Sequence, residues 1–307
     1  MNLKRDLSES TRRGYGTVIN RIKESPFGEM KVRTVKLSDA KTFYISLHDR
    51  GIKRNTIGIF HSVLHPSFEM AADDDMIRKN PFKFQIADIL PNDAGKRTAL
   101  TKAQQDIYLK YVQEYGQDNY YDDIVVLLGT GLRFSELYGL TKQDIDFKTR
   151  CIYIDHQLCR TAEKPYFITS PKTASGVRTI PMTDAVYLAL KRVMKNRTVS
   201  KSERIIDGYG GFIFLDKSGM PKVAMHLQNY MRGIQKKINR IYGNSFPKVT
   251  PHVLRHTFCT NMQQGGIDVK SLQYLMGHSN VSVTLDVYTH TDFHAVQEAF
   301  AKVAASL

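Results

Sequence analysis

Seven residues, Pro91-Asn92-Asp93-Ala94-Gly95-Lys96-Arg97, constrain the fold more than any other stretch of the chain. They carry neither helical nor strand periodicity, and proline, asparagine, aspartate and glycine side by side are the vocabulary of turns and connectors. The apolar pattern differs on the two sides of this segment. Before it the spacing is helical throughout; after it, helical stretches alternate with short β-branched runs. A chain of 307 residues is long for one core, so the pattern predicts two domains, residues 1–90 and 98–307, joined by a linker at 91–97.

In the first domain, Ser8 or Ser10 can cap a helix that places Tyr15, Val18, Ile19 and Ile22 on one face and ends at Pro26 to Gly28. A second helix is expected after a cap at Ser38, with Ala40, Phe43 and Leu47 inward and a stop at Gly51. A third starts near Arg54 with Ile57, Phe60 and Leu64 inward, is expected to kink at Pro66, and is followed by a short element ending at Asn80-Pro81. This is a small helical bundle.

Beyond the linker, Thr101 caps a helix to about Tyr115, and an apolar helix from Ile124 is interrupted at Gly129-Thr130-Gly131. Cys151–Ile154, Tyr166–Thr169 and Val177–Ile180 are short β-branched or aromatic runs, predicted to form one three-stranded sheet. From Asp184 the pattern is helical again, apart from a glycine-rich loop at 208–211. The fold class is mainly α with a small β-sheet.

The formal charge of +14 marks a surface that attracts polyanions, and nucleic acid is the first candidate partner. Both parts contribute: residues 1–91 hold 16 Lys and Arg against 11 Asp and Glu, the remainder 28 against 19. No apolar run approaches the roughly 20 residues of a membrane span, and no signal-peptide core follows Met1. Three cysteines without a CxxC pair argue against a disulfide framework or a cysteine-built zinc site. A cytoplasmic, DNA-associated protein is the expectation.

Several segments carry residues with chemical potential. Thr250-Pro251 is a strong helix start, so His252 and Arg255 share a face of an opening turn whose free N–H groups favour a phosphate. Taken alone this is equally an ordinary helix with solvated basic residues. His252 and His256 have the spacing of a zinc helix, but the glutamate of H-E-x-x-H is absent, and no metal is expected. Arg133 opens the helix after Gly129-Thr130-Gly131, where a structural pair with Glu136 is the default. Lys172, in what reads as a hairpin turn, is by default a solubilising charge. His278 follows the helix-terminating Gly277, and Tyr288 lies among Val283, Leu285 and Val287 as ordinary packing.

The set changes this reading. Thr-Gly-Leu-Arg-x-Ser-Glu-Leu at 130–137, Lys172, Thr-Pro-His-x-Leu-Arg-His-Thr at 250–257, Leu-Met-Gly-His-Ser at 275–279 and Tyr-x-His at 288–290 stand in the order of the tyrosine recombinase (phage integrase) family, which the chain resembles over nearly its whole length. No catalytic position departs from the family pattern. The resemblance implies a SAM-like helical core-binding domain followed by an α+β catalytic domain with a C-terminal exchange helix at 292–304. It implies catalytic Arg133, Lys172, His252, Arg255, His278 and Tyr288, with Glu136 in support. Many integrases carry a small arm-binding domain ahead of the core-binding helices; here the sequence begins almost at those helices.

The implied chemistry is transesterification. A phenol with a pKa of about 10 is phenolate in about one molecule in a thousand at neutral pH, so it must be activated. Arg133 and Arg255 offer planar forks for the non-bridging oxygens, and His278 adds a donor. By resemblance His252 takes or relays the tyrosine proton and Lys172 protonates the leaving 5′-oxygen. The 3′-phosphotyrosine stores the bond energy, so no cofactor is expected. Expected partners are double-stranded DNA, further copies of the chain forming a synaptic tetramer, and accessory DNA-bending or excision factors. Lys53, Arg54, Asn55, Lys96 and Arg97 are the expected DNA contacts. Integration and excision of a mobile element is the leading function. A chromosome-dimer-resolving recombinase, a type IB topoisomerase and a non-catalytic DNA-binding regulator are the alternatives.

Overall fold

The computed structural model describes residues 7, 9–93, 95, 98–115, 120–161, 163–197 and 203–288, and divides the chain into two compact units, Met1–Lys96 and Arg97–Leu307. The expected exchange helix at 292–304 and the candidate DNA contacts Lys96 and Arg97 lie outside the described residues.

The first unit is built on α1 (Glu9–Lys23), α2 (Leu37–Asp49) and α3 (Arg54–Asp73). Its core is aromatic: Phe27 stacks on Phe43 at 4.5 Å between ring centroids, and Tyr44, Phe60 and Phe82 are fully buried around them. Of the two caps expected for α1, Ser10 lies inside the helix, and Ser8, next to its first residue Glu9, lies outside the described residues. At α2 the capping role passes from Ser38 to Lys36, whose backbone N–H donates to the Asp39 carboxylate at 2.9 Å. The third helix runs unbroken across Pro66. No helix leads to Asn80-Pro81. Instead Asn80 staples that turn to α3, its amide donating to the His65 carbonyl at 3.0 Å while its oxygen accepts from the Phe82 N–H at 2.9 Å.

Part of the expected linker belongs to this unit. Asp93 accepts the Arg54 N–H at 3.1 Å and so satisfies a free donor at the start of α3, where Lys53 has no capping side chain. Lys53 and Asn55 are exposed, and Arg54 is half-buried beside them.

The second unit contains α4 (Lys102–Tyr115), α5 (Tyr121–Thr130), α6 (Phe134–Gly139), α7 (Asp184–Lys195), α8 (Ala224–Tyr242), α9 (Pro251–Gln264), α10 (Val269–Met276) and α11 (Ser282–Tyr288). Thr101 and Gln104 exchange side-chain-to-backbone hydrogen bonds at the start of α4, as the sequence predicts. Central α5 packs against α7 on one side and α9 on another, burying Ile124, Val126 and Leu127.

The strands are β1 (Ile145–Asp146), β2 (Cys151–Ile154), β3 (Gln157–Cys159), β4 (Phe167–Thr169) and β5 (Arg178–Pro181). They do not form the single sheet expected. β1-β2-β5 is one antiparallel sheet with Ile152 opposite Ile180, whereas β3 and β4 make a separate hairpin. His156, buried between β2 and β3, hydrogen-bonds the Gly139 carbonyl at 2.8 Å, tying the junction to α6 and starting a new pairing. Lys172 therefore sits between two sheets and not in a hairpin turn. Among the described residues no helix is long and apolar enough to cross a membrane.

Candidate active site

Four helix ends meet around one buried carboxylate. Gly131 ends α5 and Arg133 precedes α6, so the backbone turns between two helices just where the first arginine stands. Glu136, in the first turn of α6, reaches back to accept the Arg133 N–H at 2.9 Å and its guanidinium at 2.6 Å. The sequence suggested this pair. It did not reveal the second one: Arg178 of β5, fully buried, donates to both Glu136 oxygens at 3.2 and 2.8 Å. The available signal was an arginine alternating with Ile180 on the inward side of a strand, a place that demands a buried anionic partner.

Arg255 arrives from α9. Thr250 caps that helix by accepting the Val253 N–H at 3.2 Å, and Pro251 occupies the first turn. One turn in, Arg255 is buried and its guanidinium donates to the carbonyls of Gly131, at 2.6 Å, and Met276. Arg133 donates to the next carbonyl along, that of Gly277, at 3.3 Å. The two arginines thus hold the end of α10 between them. Gly277 terminates α10 with φ of +61°, a conformation that glycine adopts without strain, and the turn delivers His278 to the arginines. His278 shares a hydrogen bond of 3.0 Å with the buried Thr284.

The electrostatics follow from this crowding. Three guanidiniums face one carboxylate. Burial, then repulsion from Arg133, brings Arg255 down to about 9. Burial, then the charges of Arg255, Arg133 and Arg178, bring His278 down to about 4, so it is a neutral imidazole at pH 7. Glu136 is pushed up by burial, but the hydrogen bonds and charge of Arg178 and Arg133 outweigh this and leave its pKa lowered. The site carries an excess of positive charge that a bound anion would relieve.

The remaining candidates stand at different removes. His252, exposed on the first turn of α9, meets the ring of Phe134 edge-on at 6.2 Å, beside Arg133. Lys172 is exposed and makes no hydrogen bond or ion pair among the described residues. The hydroxyl of Tyr288 is not on the arginines. It donates to the Ile267 carbonyl at 2.7 Å, while the ring packs with Phe258, Cys259, Leu272 and Met276, a turn of α9 beyond Arg255. Burial, then the neighbouring Cys259 and Asp268, raise its pKa. The one metal-like cluster among the described residues, Asp144, Asp155 and His156, includes neither His252 nor His256, and Asp144 already accepts from Thr141.

A mainly helical unit that gathers three arginines and a neutral histidine about one carboxylate, with a tyrosine a helical turn away, has the layout of an enzyme that handles a phosphodiester. Residues 98–295 match the model of the phage integrase family, and the chain belongs to that family: it is a tyrosine recombinase. The chain is 41% identical over 286 residues to the transposase from transposon Tn916 of Enterococcus faecalis, spanning 93% of this chain and 70% of that protein. It is similar to a structure of the Tn1549 transposon integrase in complex with transposon right end DNA, with a TM-score of 0.91, 40% identity, and 99% and 96% of the two chains covered. A lambda integrase dimer bound to a core site shares the fold, with a TM-score of 0.66 at 17% identity over 93% and 90% of the two chains.

Proposed function

We propose that this chain is the integrase of a mobile element, cutting and rejoining double-stranded DNA at specific sites through a 3′-phosphotyrosine. The observation that carries the reading is the pair of guanidiniums, Arg133 and Arg255, anchored through the carbonyls at 131, 276 and 277 beside His278 with too few anions to balance them. Such a site suits a phosphate whose charge grows in the transition state. In this reading the Tyr288 oxygen forms a bond to phosphorus as the bond to the 5′-oxygen breaks. His252 takes the phenol proton and Lys172 gives one to the leaving oxygen; attack by another 5′-hydroxyl reverses the step. Neutral His278 donates to a non-bridging oxygen, and Glu136 holds Arg133. Because the Tyr288 hydroxyl is engaged by Ile267, it must leave that carbonyl before it attacks.

The kinship with the Tn916 transposase and the Tn1549 integrase supports a mobile-element substrate and DNA as partner, and several copies of the chain are proposed to assemble on that DNA. Lys53, Arg54 and Asn55 at the start of α3, with Lys96 and Arg97, are proposed DNA contacts, and the 292–304 segment is the proposed bridge between subunits. A nicked suicide substrate bearing the element end tests the reading. The wild-type chain is expected to form an SDS-resistant adduct, and Tyr288→Phe none while still binding DNA. An adduct formed by the phenylalanine variant would remove Tyr288 as nucleophile.

A further inference from the structure

The side chain that joins the most parts of this site is one the chemistry does not use. Arg178 is completely buried, and its three nitrogens point to three places. Nε donates to the Leu275 carbonyl near the end of α10 at 2.8 Å. Nη1 donates to the Gly176 carbonyl at 2.9 Å and to Glu136 at 3.2 Å, and Nη2 donates to Glu136 at 2.8 Å. These contacts reach α6, α10 and the segment that carries Lys172.

That segment has little else to place it. Lys172 is exposed, so its position depends on the backbone of residues 171–177. This backbone is a compact turn: Gly176 N–H donates to the Thr173 carbonyl at 2.9 Å, and Val177 N–H to that of Ala174 at 3.0 Å. Gly176 also lies against Pro171, so closely that an added Cβ would sit 2.3 Å from the proline Cβ. A shift at Gly176 is therefore passed to the residue beside Lys172. On the far side, the Ser175 carbonyl and Arg178 Nη1 both crowd Gly277, where a Cβ would meet them at 3.2 and 3.0 Å. Within β5, the Thr179 N–H donates to the Tyr274 hydroxyl at 3.0 Å, a second tie to α10.

We propose that Arg178 is a positioning residue that holds the Lys172 turn in register with the Arg133–Glu136 pair and with the end of α10 that presents His278. Only a planar guanidinium can do this. Its donors diverge in one plane toward a carbonyl on each side and a carboxylate in front, whereas a lysine ammonium is a single point on a flexible stem. The inference rests on the reading of Lys172 as general acid, and it assigns Arg178 no contact with DNA.

A substrate whose scissile 5′-oxygen is replaced by sulfur separates the possibilities, because a thiolate leaves without a proton and hides any fault in the acid. The quantity to measure is the ratio of cleavage rates, sulfur over oxygen, for the full chain on nicked suicide DNA. For Arg178→Lys the ratio is expected to rise at least about tenfold over wild type, with DNA affinity unchanged; the oxygen substrate should slow by something approaching the 10²–10⁴-fold typical of losing a general acid. A ratio equal to that of wild type overturns the proposal, however much both rates fall, because loss of folded enzyme alone scales both equally. Should Arg178→Lys not fold, the double variant Arg178→Gln/Glu136→Gln removes both buried charges together, and the same rise is expected of it. Lys172→Ala run in parallel reports on the underlying reading. No rise in its ratio means that Lys172 is not the acid, a failure distinct from a normal Lys172→Ala response with a flat Arg178 response.

Discussion

Glu136→Gln is the perturbation whose cost the geometry defines best. The carboxylate is 2% exposed and accepts from two guanidiniums and one backbone N–H. Arg133 is 36% exposed, so its ion pair is screened and contributes at most about 1 kcal/mol. Arg178 is wholly buried, and removing its counter-charge falls in the class of broken buried pairs, which cost about 3–5 kcal/mol. Glutamine keeps the shape and one acceptor, and Arg178 keeps its bonds to Leu275 and Gly176, so the lower end, about 3 kcal/mol, is expected. For a unit of this size that is a fall in Tm of roughly 6–12 °C. Arg178→Gln alone leaves a buried carboxylate with only Arg133 and is expected to cost about as much. The double variant leaves no unpaired buried charge and should cost no more than either single change. Calorimetric or urea unfolding of the full chain at pH 7 completes the cycle. Costs that simply add, to within about 0.5 kcal/mol, would refute the claim that the two residues act as one unit.

Other consequences are open to direct measurement. Tyr288→Phe deletes the bond to Ile267 along with the oxygen proposed as nucleophile, so it should abolish the covalent adduct at a stability cost of about 1 kcal/mol; a variant as stable as wild type would mean the bond is not formed in solution. Lys172→Ala should slow cleavage of an ordinary phosphodiester by about 10²–10⁴-fold and be largely rescued by a 5′-bridging phosphorothiolate, and equal loss on both substrates counts against the acid role. Arg133→Lys keeps the charge but loses the fork that spans Glu136 and Gly277, so cleavage should collapse while affinity holds. Parallel loss of affinity would make Arg133 a binding residue only. The depressed His278 sets a pH dependence: its folded pKa of about 4 lies below that of the unfolded chain, so the unfolded state gains the proton first. Stability should therefore fall as pH drops from about 6.5 toward 4, and His278→Asn should flatten that slope in a series of thermal melts. An unchanged slope would show that other groups carry the acid sensitivity.

The parts of this molecule that were legible in the chain are those made by neighbours in sequence. The Thr250-Pro251 and Thr101 caps, the stop at Gly277, the Arg133–Glu136 pair and the inward faces of α2 and α3 each depend on residues three or four apart, the reach of one helical turn. Family motifs extended that view to a list of candidate site residues, because their order survives without any knowledge of distance. What the list lacked was contact across the fold. That Glu136 meets Arg178 forty-two positions away, that Asp93 rather than a neighbour caps α3, and that Tyr288 rests on Ile267 are pairings between distant segments. The partition of five strands into two sheets has the same origin. A run such as Tyr166–Thr169 announces strand character through its side chains, but its backbone donors accept any partner of matching geometry. In the folded chain β3 pairs with β4 beside buried His156, which is bonded to the end of α6, while β5 joins the other sheet and carries an arginine into the core.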